Sequence, residues 1–359
     1  MATSPLLRRL GVGSTALLLA ALAACSSVND SEGSSDKKVE GPVKIAMSVG
    51  QLDDDFMSTL VDYMKAQVPK RKWKIVKVVS AERSADKQVT DIENLLTLKP
   101  DVLVVHPTDG AAVVAAVQMA NSQGVPVFTV DTPANGGKVV ADSRADNVQA
   151  GAASAQILID RLKNKPCWKS KCKVLELQGR LGSGAGDDRS KGAQSVLKVP
   201  QIHLISRPTD WEATKAADEA QNVITANKDI AGVTMASELM LPGVLGALKS
   251  AGLDGKVGEK NHVVITGIDG TANALDAIRD GSIDGTVSQP LTAYVDSILD
   301  MIQRSVVDGE KFKVGPAEFG GAKGKFVQGP AGLDFQIPAD PVTKETVDTK
   351  TLWANLGLK

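Results

Sequence analysis

Residues 101–133, DVLVVHPTDGAAVVAAVQMANSQGVPVFTVDTP, hold one full repeat of the pattern that organises the chain. Residues 102–105 form a short β-branched apolar run, which predicts a strand buried on both faces. Pro107 stops it. Asp109 can cap the next element, and 111–121 reads as a helix with Val113, Val117 and Ala120 on one face. Gly124 ends that helix, and 125–130 reads as a second buried strand. A strand, a helix and a strand of this size make a right-handed parallel crossover. The second strand runs straight into Asp131. In open parallel sheets ligands bind just past the carboxyl ends of strands, so this carboxylate is placed to meet one.

The alternation continues on both sides. Upstream, 43–49 and 73–79 read as strands, with a helix opening at Phe56 and a second helix over 85–98 whose stripe is Val89, Ile92, Leu95 and Leu96. Downstream come a short strand at 139–141, an Ala-rich helix at 147–163, a strand at 173–177, a Gly-rich loop, and a helix from Arg189 to Leu197. The pattern then restarts: strands at 202–206, 233–236, 263–268 and 285–288 alternate with helices at 213–226, 242–251 and 272–280, and a long helix spans 291–307. Two successive sets predict an α/β protein with two similar lobes, each a parallel sheet flanked by helices. Past Gly315 the chain is rich in Gly, Pro and Lys, and one strand near 325–327 is legible.

The 359 residues suffice for two domains. Hydrophobic residues at 43% allow full cores, and aromatics at 3% mean that Ala, Val, Leu and Ile build them. A formal net charge of -1 argues against a nucleic-acid surface. Residues 1–25 read as an export signal: Arg8 and Arg9 precede an apolar run too short to span a bilayer. Leu22-Ala23-Ala24-Cys25 resembles the lipobox of bacterial lipoproteins, in which the chain is cut before the Cys and its thiol is lipidated. Residues 26–41 then form a flexible tether. With Cys25 assigned to lipid, Cys167 and Cys172 remain. An exported pair this close is expected to form a disulfide, worth about 2 kcal/mol for so small a loop. A redox motif needs tighter spacing and a metal site more ligands. The pair is therefore expected to be structural, on the sheet edge away from any cleft.

The motifs HPTDGAAVVAAVQMAN, VPVFTVD, ADNVQAG, VLELQG, DDRSKGA, RPTDW, VVITGIDGT and GTVSQ occur in the order found in a known family. Across 42 to about 310 the chain resembles the sugar-binding proteins of bacterial ABC importers, the ribose-binding-protein-like group. The resemblance implies a type I periplasmic-binding-protein fold, in which two lobes joined by three hinge strands close on a ligand. It places the crossings near Asp146, Gln289 and Glu318. The first lobe is then 42–145 plus 290–318, the second 146–289 plus 319–345, and 346–359 a tail.

A neutral sugar or polyol offers hydroxyls at its edge and C–H groups on its faces. Carboxylates, amides and Arg suit the edge, and aromatic rings suit the faces. By resemblance Ser48, Asp131, Arg189, Asp269 and Gln289 are ligand contacts. A cation at a helix head opposes the helix dipole, which disfavours a purely structural role for Arg189. Trp211 takes the place of an aromatic that packs on the sugar, offering an apolar face and an N–H. Phe56 is either a ring over the ligand or the first core residue of its helix. Of Asp53, Asp54 and Asp55, capping explains at least one, and Asp53 or Asp54 is expected to replace an amide of the family. Ser237 and Glu238 lie where the family has an Asn-Asp pair, although the spacing to the following helix differs. Thr132 stands where the ribose binders carry a second Arg. That departure favours a linear polyol or another pentose or hexose over ribose.

Competing classes find little here. Gly179, Gly182, Gly184 and Gly186 follow a strand but do not make GxGxxG, and Asp187 and Asp188 would repel a pyrophosphate. His106, His203 and His262 have no partners at ligand spacing, so neither a zinc site nor a catalytic triad is expected; His106 reads as a structural residue ending its strand. A repressor of this fold would begin with a helix-turn-helix rather than an export signal. A receptor subunit for a signalling protein would look the same as an importer subunit. The expectation is a monomeric lipoprotein on the outer face of the bacterial cytoplasmic membrane, serving an ABC permease and its ATPase, with no cofactor, metal or chemistry of its own.

Overall fold

The computed structural model describes residues 41–182 and 184–357. The signal, its Cys25 and all but the last residue of the tether lie outside the described residues.

The first lobe opens with β1 (Lys44–Val49), α1 (Asp55–Gln67), β2 (Lys74–Ser80), α2 (Ala85–Leu96), β3 (Val102–His106), α3 (Val114–Ser122), β4 (Val127–Val130) and β5 (Ala141–Ala145). The chain crosses into α4 (Asn147–Leu162), β6 (Cys172–Gln178), α5 (Gly184–Leu197), β7 (Ile202–Pro208), α6 (Ala213–Ala226), β8 (Ile230–Met235), α7 (Leu241–Ala251), β9 (Val264–Asp269), α8 (Ala272–Arg279) and β10 (Gly285–Ser288). It returns through α9 (Leu291–Ile302), β11 (Gly315–Phe319), β12 (Ala322–Gln328) and β13 (Leu333–Ile337), and crosses a third time to β14 (Asp340–Thr343).

The two sheets share one winding. Their parallel cores run β2-β1-β3-β4-β5 and β7-β6-β8-β9-β10. Every residue of β3, β4, β5, β8 and β10 is buried, as strands covered by helices on both faces require. On one face of the first sheet α1 and α9 bury Leu60, Met64, Val295 and Ile298; on the other, α2 and α3 bury Ile92, Leu95, Val117 and Ala120. In the second lobe α4 and α5 cover one face and α6, α7 and α8 the other. Caps fall on residues that can accept an N–H. Asp54, Ser84, Asp146 and Thr271 cap α1, α2, α4 and α8, and Asp109 accepts from Ala111 and Ala112 ahead of α3.

Several sequence expectations need correction. The strand expected at 139–141 is β5, two residues further on. The long helix ends at Ile302 and continues as one wider turn to Val307. The region past Gly315 is not a lone strand. β11, β12 and β13 form an antiparallel meander that joins β5, with β13 parallel to it. Glu318 therefore lies inside the first sheet, and 319–337 belongs to the first lobe, not the second. The third crossing is at Pro338–Ala339. The sheets are accordingly mixed, since β14 also pairs antiparallel with β10. The sulfurs of Cys167 and Cys172 lie at bonding distance. Cys172 starts β6, which is an inner strand between β7 and β8 rather than an edge.

The crossings are tied together. Asp146 N–H donates to the carbonyl of Ile337 at 2.8 Å, and the Gln149 amide bonds both the carbonyl (3.2 Å) and the N–H (2.9 Å) of Ala339. Lys325 reaches Asp146 at 2.7 Å. Among the described residues no helix is long and apolar enough to cross a membrane.

Candidate ligand-binding site

The carboxyl ends of β4, β9 and β10 run into Asp131, Asp269 and Gln289. Asp131, Trp211 and Asp269 all have positive φ (65°, 63° and 142°), a region that side-chain-bearing residues rarely occupy. Such strain persists only where surrounding bonds enforce it, and it gathers at binding sites.

Asp131 is positioned by its backbone, whose N–H donates to Ser143 O at 2.8 Å. Its Oδ2 lies 3.5 Å from His106 Nε2. The other ring nitrogen, Nδ1, accepts from Gly50 N–H at 3.3 Å, which leaves the ring proton on Nε2, facing Asp131. His106 is thus a positioning residue, a role that the sequence reading as a strand end missed. Burial pushes the Asp131 carboxyl up, but the His106 hydrogen bond and the positive charges of Arg189 and Arg144 bring it below its ordinary value.

Asp269 is the hub of the second lobe. Its Oδ2 accepts from Ser237 Oγ (2.6 Å) and Glu238 N–H (3.1 Å); its Oδ1 accepts from Gln289 Nε2 (2.9 Å) and lies 3.4 Å from Arg189 Nη1. Arg189 is fixed by Asn147 Oδ1 and the carbonyl of Ala236, both at 2.8 Å. It stands in the second turn of α5, not at the helix head, so the dipole argument does not apply to it. α5 lies so close to α4 that a Cβ on Gly151 would fall 2.0 Å from the Arg189 carbonyl. Gln289 takes the hydroxyl of buried Tyr294 at 2.8 Å. Burial, then the charge of Asp131, holds that phenol well above its usual range.

Beneath the hub, Glu238 accepts from Gly270 N–H, Thr271 N–H and the Thr271 and Thr286 hydroxyls. Burial and the Asp269 charge nonetheless push its carboxyl up to about 7. The Asn-Asp pair of the resemblance is thus replaced by Ser237, which orients Asp269, and by Glu238, which fastens the β9–α8 loop.

Trp211 lies on the Arg189 guanidinium, 5.9 Å from Cζ to the ring centroid. It also lies against Gly179, where a Cβ would sit 2.2 Å from Cη2 and Cζ2. Gly179, in a Gly-rich stretch that lacks the spacing of a phosphate loop, makes room for this ring. Phe56 meets Tyr294 and Trp353 edge-on at 6.4 and 5.6 Å.

Arg144, in β5, is held by carboxylates of both lobes. Its Nη2 pairs with Asp334 at 3.0 Å, and its Nη1 lies 3.7 Å from Asp188 of the second lobe. Burial, then the Asp334 charge, pushes Asp142 beside it up to about 7. No spacing rule singled out Arg144; the only hint was its place two residues before a predicted crossing.

Other candidates lie outside this network. Asp54 caps α1 and holds Gln51, and exposed Asp53 pairs with Arg83 at 3.0 Å. Ser48 is buried and receives Gln88 Nε2 at 3.3 Å. The Thr132 backbone turns on Val130 O at 2.7 Å. Among the described residues no group of three or more His, Cys, Asp or Glu could hold a metal ion.

Two like-wound α/β lobes, joined by three crossings and carrying acids, amides and rings at strand ends, have the architecture of a two-lobed binding protein. The family model for the periplasmic binding protein domain matches residues 45–311, and the chain belongs to that family. It is 31% identical over 245 residues to the ribose import binding protein RbsB of Bacillus subtilis, covering 68% of this chain and 75% of that one. It is 30% identical over 240 residues to the xylitol-binding protein of Mycolicibacterium smegmatis, covering 66% and 65%. Among solved structures, a periplasmic ribose ABC transporter protein from Conexibacter woesei superposes with a TM-score of 0.72 at 20% identity, over 87% and 95% of the two chains. That likeness shows the type I fold.

Proposed function

We propose that the chain is the extracytoplasmic binding lipoprotein of an ABC importer, anchored through lipid on Cys25. It captures a neutral sugar or polyol between its lobes and hands it to a permease driven by an ATPase. The reading rests on one observation. Asp131 in the first lobe and Arg189, Asp269, Gln289 and Trp211 in the second bring acceptors, donors and a ring to one cleft. The relatives are named for ribose, xylitol, D-allose and D-apiose. Thr132 removes one donor fork, and the guanidinium of Arg144 on the next strand is already engaged by three carboxylates. That arrangement favours a polyol or a pentose other than ribose.

A thermal-shift screen of pentoses, hexoses, tetritols, pentitols, hexitols and inositols tests the reading. A ligand at a hundred times its dissociation constant stabilises by about 2.7 kcal/mol. A single class of polyhydroxylated compound is expected to raise the melting temperature, and no shift from any of them would reject the assignment.

A further inference from the structure

The segment after the third crossing, expected to be a tail, carries Trp353, a residue only 4% exposed. Its indole N–H donates to the Asp269 carbonyl at 2.8 Å, in the second lobe. Its ring takes Phe56 of the first lobe edge-on at 5.6 Å. The Trp353 ring belongs to the first lobe's core cluster, whereas the stretch leading to it is built onto the second lobe. Val347 and Leu352 enter that lobe's core, and Asn355 accepts from Arg279 at 3.0 Å while donating to the carbonyls of Val347 and Thr349. Ala354 packs against the cores of both lobes. One residue thus touches the backbone of one candidate contact and the ring of another, on opposite sides of the cleft.

From this geometry we infer that Trp353 is a positioning residue that couples lobe closure to the ligand site. It holds the positive-φ backbone of Asp269 in its unusual conformation, and it gives the Phe56 ring a seat that exists only while the lobes are together. Opening the cleft separates Phe56 from Trp353, so the contact weighs on the closed side of the equilibrium. The inference rests on the binding reading given above, but part of its test does not.

The test uses the full chain and its Trp353→Ala and Trp353→Phe variants, with spin labels on exposed Asp86 of the first lobe and Thr214 of the second, each replaced by Cys. Trp353→Ala is expected to broaden the ligand-free inter-lobe distance distribution towards longer values. It is also expected to weaken binding of the best compound from the screen at least tenfold, mainly through faster release. Trp353→Phe keeps a ring against Phe56 and loses the N–H bond, so its affinity should fall between the two. A residue that merely fills a core would lower the melting temperature and leave the distance distribution unchanged, which would overturn the proposal. So would wild-type affinity, within twofold, in both variants. Should the Ala variant not fold, the Phe variant decides by the same two readouts. If no sugar or polyol binds the wild type, the functional reading fails, and the ligand-free distances still decide whether Trp353 holds the lobes.

Discussion

Asp131 and Asp269 are both strand-end acids, yet their surroundings differ in kind. Asp269 receives four donors, close to the capacity of a carboxylate, whereas Asp131 has one long contact with His106. Asp131 is therefore free to accept from a guest, and Asp269 spends its oxygens orienting Arg189, Gln289 and Ser237. Asp131→Asn should weaken binding by about 1–3 kcal/mol with little change in ligand-free melting temperature. Asp269→Asn sets an amide N–H₂ against groups that already donate. It should lower both affinity and ligand-free stability, which titration calorimetry and a melting curve separate. A Cβ at Gly179 would drive the Trp211 ring from its place. Gly179→Ala should therefore weaken binding severalfold and shift the emission maximum of the ligand-free protein. Asp131 and Asp269 stood out because each ends a predicted strand, whereas Arg189, in DDRSKGA, and Trp211, in RPTDW, were picked out by the family resemblance alone. A run of three Asp before a helix gives no indication which one caps; Asp54 does, and Asp53 pairs with Arg83.

The elements show where a sequence stays silent. Most of β1 to β10 announce themselves through β-branched runs set between amphipathic helices; β5, ADSRA, has none and was placed two residues early. The meander does not, because β11 contains a Pro and β12 alternates Lys with small residues, as edge strands do. Its stabilising feature is a cluster of Phe312, Phe319, Phe326 and Phe335 with centroids 5.0–5.4 Å apart, contributed by residues up to two strands distant. β13 also places Asp334 beside Asp142 and Arg144 of β5. Burial holds the Asp142 carboxyl up at about 7, and the same holds for Glu238 in the other lobe. In the unfolded chain such groups titrate near pH ~4. Between these values the native state binds more protons, so stability falls as pH rises from about 4 to about 7. The ligand-free melting temperature should be higher at pH 5 than at pH 7.5. Asp142→Asn should narrow that difference, because it removes one of the groups responsible.

At the scale of the molecule, the lobes repeat one winding. That repetition was readable as two successive alternating sets, whereas the third crossing was not, since Pro338–Ala339 carries no signal beyond a Pro between two short strands. If the cleft closes on its guest, ligand should reduce the radius of gyration measured by solution X-ray scattering. The same titration should change Trp211 emission with the same midpoint. A ligand that altered fluorescence without compaction would bind to one lobe alone.

The Gln149 side chain has a mechanical consequence. By bonding the Ala339 backbone through both its amide groups, and with Asp146 paired to Ile337, it makes two of the three connections behave as one narrow ribbon. The Gln289–Pro290 link runs beside that ribbon, because Ser288 just before it pairs with Asp340 just past Ala339. Shear or twist of one half against the other would require these short bonds to break. Gln149→Ala should release that restraint, so the range of orientations sampled without ligand should widen while the fully shut geometry stays the same.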